Sequence, residues 1–241
     1  MRQIAALAII SLVIFSSCQE IFAKRVRGNG VMTKQTRHTN SFTSVEVSGS
    51  MALLVSIDSA ESLQVEADEN LQDYIEVEMH GDQLRIHQKQ GFNLRPRTPI
   101  KIYVSAPVFK SLEATGSSSI TSQSPLNLPG KLSVELTGSS NAGLEINAPS
   151  LSITATGAST VKVKGQVKDV VIEGTGSTHF YLGQLVSDNV NLDLTGASTA
   201  EVVANVKLDV DATGSSHVSY SGNPATVNQS TTGASSIRKT N

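Results

Sequence analysis

The sequence predicts an all-β fold: a right-handed parallel β-helix of about 19 residues per coil, closed at its N-terminal end by an irregular β cap. Three observations carry that expectation. A Thr-Gly step followed by small residues occurs seven times, as TGSSS, TGSSN, TGAST, TGSTH, TGAST, TGSSH and TGASS. Its glycines, Gly116, Gly138, Gly157, Gly176, Gly196, Gly214 and Gly233, are spaced by 22, 19, 19, 20, 18 and 19 residues, the near-constant period of a solenoid. Apolar residues also alternate around the glycines, as in Leu132, Val134 and Leu136 before Gly138 and Val161 and Val163 after Gly157, which is the period of strands.

Each part of the coil then has a reason. A coil must turn a corner, and glycine alone takes a positive φ or a close backbone approach without strain. The small hydroxyl residue two positions on (Ser118, Ser140, Ser159, Thr178, Ser198, Ser216 and Ser235) forms a column that fits the crowded bend and supplies hydrogen bonds there. Parallel crossovers are almost always right-handed, which sets the expected hand. A leucine-rich repeat has a similar period, but its Leu/Asn pattern and backing helix are absent. At about 4.8 Å per rung, seven repeats give a rod about 30 Å long.

Residues 31–241 read as a single domain, with irregular coils and a cap over 31–108 and regular repeats over 109–241. Within the first part, YIEVEMHG (74 to 81) and QLRIHQ (83 to 88) are strand-like and meet at a Gly81-Asp82 turn. Before the domain, residues 1–17 have the layout of a signal peptide, with Arg2 ahead of an apolar run from Ile4 to Phe15, and residues 18–30 read as a tether. The single cysteine, Cys18, lies in FSSC, which resembles a bacterial lipoprotein box whose cysteine is lipidated; cleavage near Ala23 is the alternative. A lone cysteine in an exported chain has no disulfide partner, which favours lipidation. The expected location is the outer membrane or periplasmic face, or the cell surface; after cleavage near Ala23 it is periplasmic or secreted.

A net charge of −2, 17% charged residues and 4% aromatic residues give no electrostatic case for nucleic acid. Several ordered motifs, RGNG (27 to 30), FTSVEVSGSM (42 to 51), LQVEADENLQDYIE (63 to 76), IKIYVSAP (100 to 107), the Thr-Gly repeats and GNPATVNQSTTGASS (222 to 236), together resemble the auto-transporter adhesin head GIN-domain family. The resemblance covers nearly all of the exported chain. It implies a β-helical exported bacterial domain, often a lipoprotein, and no catalytic residues. Many relatives have Ser-Gly-Gly-Ser-Asp where this chain has Thr-Gly-Ser/Ala-Ser, so no role for that Asp carries over.

The candidate binding face is an acidic column three residues before the glycines, Glu113, Glu135, Glu173, Asp193 and Asp211, with Thr154 and Ser230 completing the row. Beside it runs an outward column of Thr115, Thr137, Thr156, Thr175, Thr195, Thr213 and Thr232. Carboxylates about 5 Å apart repel by roughly 1 kcal/mol in water, so the column is tolerable when solvated and is eased by a bound cation. The competing reading is a solubilising outer face, with the threonines holding register. Calcium β-rolls need nonapeptide Asp/Gly repeats, and ice binding needs uncharged neighbouring Thr columns; neither is found. His179 and His217 share a column two rungs apart, too far for one ion, and His38, His80 and His87 show no His-x-x-x-His or Cys partner, so no metal site and no cofactor are expected.

These observations point to a non-enzymatic exported scaffold or adhesin-like binding module, whose partner is an envelope protein, a glycan or a host surface ligand. The alternatives are a carbohydrate-active enzyme or glycan binder, which needs an aromatic-lined acidic groove before Gly116, and an envelope-stress accessory that binds another envelope protein.

Overall fold

Residues 23–240 are described by a computed structural model, and lateral pairing between parallel strands dominates it. The N-terminal part comprises β1 (Lys24–Arg27), β2 (Met32–Thr36), β3 (Ser44–Gly49), β4 (Met51–Ile57), β5 (Ser62–Asp68), a 3-10 turn (Glu69–Tyr74), β6 (Ile75–His80), β7 (Gln83–Gln88), β8 (Phe92–Arg95) and β9 (Ile100–Ala106). The stack continues through β10 (Ser111–Gly116), β11 (Ser119–Ser122), β12 (Leu126–Asn127), β13 (Leu132–Gly138), β14 (Asn141–Gly157), β15 (Thr160–Gly176) and β16 (His179–Gly196). It ends with β17 (Thr199–Val203), β18 (Lys207–Gly214), β19 (His217–Ser221), β20 (Thr226–Gly233) and β21 (Ser236–Lys239). The result is a β-solenoid of about seven turns.

The register places the column glycines directly opposite one another from coil to coil. Two constraints reserve the position for glycine. At Gly138 φ is +87°, and a Cβ there would lie 2.6 Å from the carbonyl oxygen of Gly116. That carbonyl is occupied, because the N–H of Ser139 donates to it at 2.7 Å; the same bond recurs from Ala158 to Gly138 and from Ser177 to Gly157. Two residues on, Ser118, Ser140, Ser159, Thr178, Ser198 and Ser216 are fully buried. Their hydroxyls serve both their own coil and the next: Ser118 and Ser140 donate to the carbonyls of Thr115 and Thr137 at 3.0 and 2.9 Å. Ser159, Ser198 and Ser216 reach the glycine carbonyls of the neighbouring coil, and the hydroxyls of Thr178 and Ser198 lie 2.8 Å apart. A buried hydroxyl costs free energy unless bonded, so the column is small, polar and satisfied.

The interior is a continuous apolar column of Leu, Ile, Val and Ala. Each fully buried Leu, Ile or Val contributes about 1.5–3 kcal/mol of transfer free energy. In the coil of Gly157 to Gly176 the inward phase slips once away from the glycine: Val167 and Val170 are both buried while Lys168 between them is exposed, which marks a second corner.

The glycine column starts one coil earlier than the spacing indicates. β3 pairs in register with β10, so Gly49 faces Gly116 and Glu46 faces Glu113, and β4 pairs with β11. Regular stacking therefore begins at Ser44 rather than 109. The period is hidden because the chain leaves after Ile57, forms β5 to β9, and returns at Ser111 in register.

That excursion, with β2, closes the N-terminal end. β9 lies parallel to β4, β5 antiparallel to β9, and β2 antiparallel to β5, while β7 lies parallel to β3 and pairs with β6 in a hairpin. Part of the expected tether is structured: Lys24–Arg27 pairs with Phe92–Arg95, a strand that reads as polar because Val26 alone packs against the core. The RGNG motif that follows wraps the buried carboxylate of Asp68, whose oxygens accept from the N–H groups of Gly30 (2.7 Å) and Arg97 (2.9 Å). Asn70 reinforces the clip, accepting from Asn29 N–H and donating to the Arg27 carbonyl, both at 2.8 Å. A side chain at Gly28 would collide with the Asp68 carboxylate.

The C-terminal end is closed by composition. In β20 and β21 three slots that other coils fill with apolar residues hold Gln229, Thr231 and Lys239, opposite Val210, Ala212 and Tyr220, while Val227 and Ile237 keep the apolar phase opposite Leu208 and Val218. β20 is exposed along its whole length, so a partly polar inner row meets water at the open end.

Candidate functional site

The outer surface of the solenoid carries straight columns of side chains, because every coil repeats its register. On the face before the glycines, Glu46, Glu113, Glu135, Thr154, Glu173, Asp193, Asp211 and Ser230 stand opposite one another in order. Beside them runs the threonine column; Thr115, Thr137, Thr156, Thr175, Thr195 and Thr232 are exposed and Thr213 is half-buried. Arg85 stands at the N-terminal end of the acidic column, 2.9 Å from Glu46. Burial holds the Glu113 carboxyl above the ordinary carboxylate range, and the charges of Glu135 and Glu46 add to that against hydrogen bonds donated by Ser111 and Gln83. Cys18 lies outside the described residues.

The face after the glycines differs, and sequence reasoning did not single it out. Its outward column runs Thr121, Gly143, Lys162, Tyr181, Glu201, Ser219 and Arg238. The register shifts between Lys162 and Lys164, where the coil above holds one extra residue at Leu182-Gly183. This bulge is the physical source of the 20-residue step from Gly176 to Gly196. Gly143 and Gly183 leave a hollow, and the Glu201 carboxylate lies over Gly183. The resulting groove has a volume of about 480 Å³ and is lined among others by Ser122, Lys162, Tyr181, Gln184 and Glu201. A second groove, of about 490 Å³, starts on the other side of Tyr181 and Glu201 and reaches Ser219 and Arg238.

Tyr181 is 48% exposed, and its ring is an aromatic platform between the two hollows. The Lys162 ammonium lies 5.6 Å from its centroid and the His179 ring 6.5 Å. Lys164 is neutralised by Glu145 at 2.9 Å, whereas among the described residues neither Lys162 nor Glu201 takes part in an ion pair.

The histidine reading needs correction at the hairpin. Folding sets Glu76 opposite His87, and ligand atoms of Glu76, Glu78 and His87 lie within 4.8 Å of one another, with His80 3.2 Å from Glu78. The partners lie across the Gly81-Asp82 turn and not at helical spacing, which is why a search for local motifs passes over them. The hydrogen bond with His80 and the charge of His87 hold the Glu78 carboxyl below its ordinary range. Lys89 is 4.0 Å from Glu76 and Arg85 faces Glu78, so cations already share this cluster. It borders a groove of about 680 Å³ that includes Phe92, whose ring packs 4.7 Å from Tyr74. His179 and His217 stand two rungs apart with Thr199 between them, and His179 bonds Thr199 at 2.8 Å.

An all-β solenoid with column-patterned outer faces and open surface grooves defines an extended-surface protein of the solenoid class. The chain belongs to the family described as "Putative auto-transporter adhesin, head GIN domain", whose profile matches residues 41–224. Similar solved structures include a putative adhesin from Bacteroides fragilis, 15% identical with a TM-score of 0.80, covering 89% of this chain and 100% of that one. A putative lipid binding protein from Parabacteroides distasonis is 25% identical with a TM-score of 0.69, covering 90% and 100%. A putative adhesin from Parabacteroides merdae is 20% identical, also with a TM-score of 0.69, covering 91% and 100%. Among curated proteins none matches the chain. No helix among the described residues is long and apolar enough to cross a membrane.

Proposed function

We propose that the protein is an exported, non-enzymatic binding module of the cell envelope, adhesin-like in use, which holds its ligand on the outer surface of the solenoid. The observation that carries the reading is the rung-by-rung alignment of outward side chains, which presents matching groups at about 4.8 Å intervals and suits an extended or repetitive partner better than a small substrate. Family membership supports an adhesin-like role. The description of one similar structure as lipid-binding is not carried to this chain, whose apolar side chains fill the solenoid interior. Lipid attachment at Cys18 fits this reading by tethering the solenoid to a membrane, and the partner is an envelope protein, a glycan or a host surface ligand.

The test is to probe arrays of glycans and matrix proteins with the purified chain. Selective, saturable retention without turnover is expected, and turnover of any polysaccharide overturns the non-enzymatic reading. Retention that survives changing Glu135, Glu173, Asp193 and Asp211 together to Ala rejects the acidic column as the contact face. Palmitate labelling that depends on Cys18 tests the anchor.

A further inference from the structure

We propose that the face after the column glycines binds an acidic oligosaccharide that lies along the solenoid axis, with a sugar ring on Tyr181. This rests on the binding-module reading and assigns its ligand class and location. Four features built by different residues meet there. The first is the exposed ring of Tyr181, an apolar plate wide enough for the C–H face of a pyranose. The second is a pair of hollows on either side of that ring, one of them made by Gly143 and the bulge at Leu182-Gly183, so the track is continuous across several rungs.

Polar groups follow in the order a saccharide requires. One rung before Tyr181 stands Lys162, and one rung after it stands Glu201, whose carboxylate accepts from vicinal hydroxyls. Gln184, in the same hollow, offers both a donor and an acceptor. Two rungs beyond Glu201, Arg238 supplies a second cation, about 19 Å from Lys162 at 4.8 Å per rung, a span of several sugar rings. Two cations at that separation with an aromatic plate and a hydroxyl acceptor between them match a chain bearing spaced carboxylates. The acidic column lies on the other face and does not oppose an anionic chain here.

The test is retention of the purified chain on defined oligosaccharides, uronate-containing and uncharged, followed by titration with the best-retained uronate oligosaccharide. Uronate-containing members are expected to be retained above uncharged ones. Tyr181→Ala should weaken binding at least tenfold, Tyr181→Phe by less than threefold, and Lys162→Met and Arg238→Met by about fivefold each. Unchanged circular dichroism and melting temperature in these variants keep the comparison free of folding effects, since all three side chains are exposed. Equal retention of charged and uncharged oligosaccharides, or an affinity within twofold of the parent in Tyr181→Ala, overturns the inference. Binding lost in the Glu135, Glu173, Asp193 and Asp211 variant but kept in Tyr181→Ala removes this site and leaves the binding-module reading standing. Retention of neither glycan nor protein ligands by the parent chain removes both.

Discussion

The two ends of the solenoid solve one problem by different means. Each end exposes a strand edge and an apolar cross-section. At the N-terminal end the answer is more chain: β2, β5 and the β6–β7 hairpin cover the first coils, bury Leu71 and Ile75, and are locked by the Asp68 clip. At the C-terminal end the backbone simply completes another coil, and Gln229, Thr231 and Lys239 replace apolar residues in the inner row beside Val227 and Ile237. A lid made of chain adds cooperative contacts and can fail as a unit. A lid made of composition adds little stability and acts mainly against association.

The largest expected effect tests the first half of that contrast. Asp68→Ala removes a fully buried side chain and the charged acceptor that the part-buried N–H groups of Gly30 and Arg97 share, and should cost about 3 kcal/mol, read as a lower urea midpoint. Asp68→Asn, which keeps one acceptor, should lose less; equal losses would mean that packing and not the hydrogen bonds holds the clip. Next come two glycines of the same column. Gly138→Ala combines a positive φ with a 2.6 Å approach to a carbonyl and should cost about 2–3 kcal/mol. Gly233→Ala meets the same approach to Gly214, but among the described residues its coil has no neighbour above and can shift, so about 1 kcal/mol or less is expected.

The double substitution Gln229→Leu with Thr231→Val should scarcely move the melting temperature. It should turn the chain into a concentration-dependent end-to-end oligomer by light scattering; a persistent monomer would show that the polar row is not what keeps the end free. The smallest effects are a pair of opposite sign. Glu66 is held below its ordinary range chiefly by the hydrogen bond from Lys101, so its contribution is present above about pH 4.5 and is lost as pH falls through the lowered value. Glu66→Gln should therefore destabilise by about 0.5 kcal/mol at pH 7 and by less at about pH 4, the difference closing as pH falls through the lowered value. Glu113 is raised by burial, so its ionisation works against folding once pH exceeds its raised value, and protonation relieves the penalty. Glu113→Gln should stabilise by a few tenths of a kcal/mol at pH 7, and the gain should vanish below the ordinary carboxylate range. Melting curves at the two pH values read both.

The solenoid was legible because its cause is local and repeated: Thr-Gly steps, inward Leu and Val, and a steady period are all visible along the chain. Gly49 escaped because an excursion separates it from Gly116 and destroys the interval, although VEVSGSM repeats the local pattern. The Asp68 clip joins residues that only the closed fold brings together, and RGNG carries no propensity that reveals it. Tyr181 looked like one more alternating residue. Its setting arises from Gly143 on another coil and from the bulge at Leu182-Gly183 on its own, for which the single 20-residue interval was the available trace. The aromatic, acidic groove expected before Gly116 has a counterpart beside Glu46, Glu78 and Phe92. The exposed ring of Tyr181 lies after Gly116, where regular stacking and one irregular residue act together.

The excursion between Ile57 and Ser111 has one further consequence. The chain departs from a corner, builds a subdomain, and rejoins the stack with Ser111 opposite Ser44, so alignment is set by lateral bonding and not by covalent succession. That corner is therefore a port: a foreign domain whose termini lie close together, spliced there, should leave the stack beyond it in register. The solenoid can in this way carry a second function on its flank while its own surface columns remain intact.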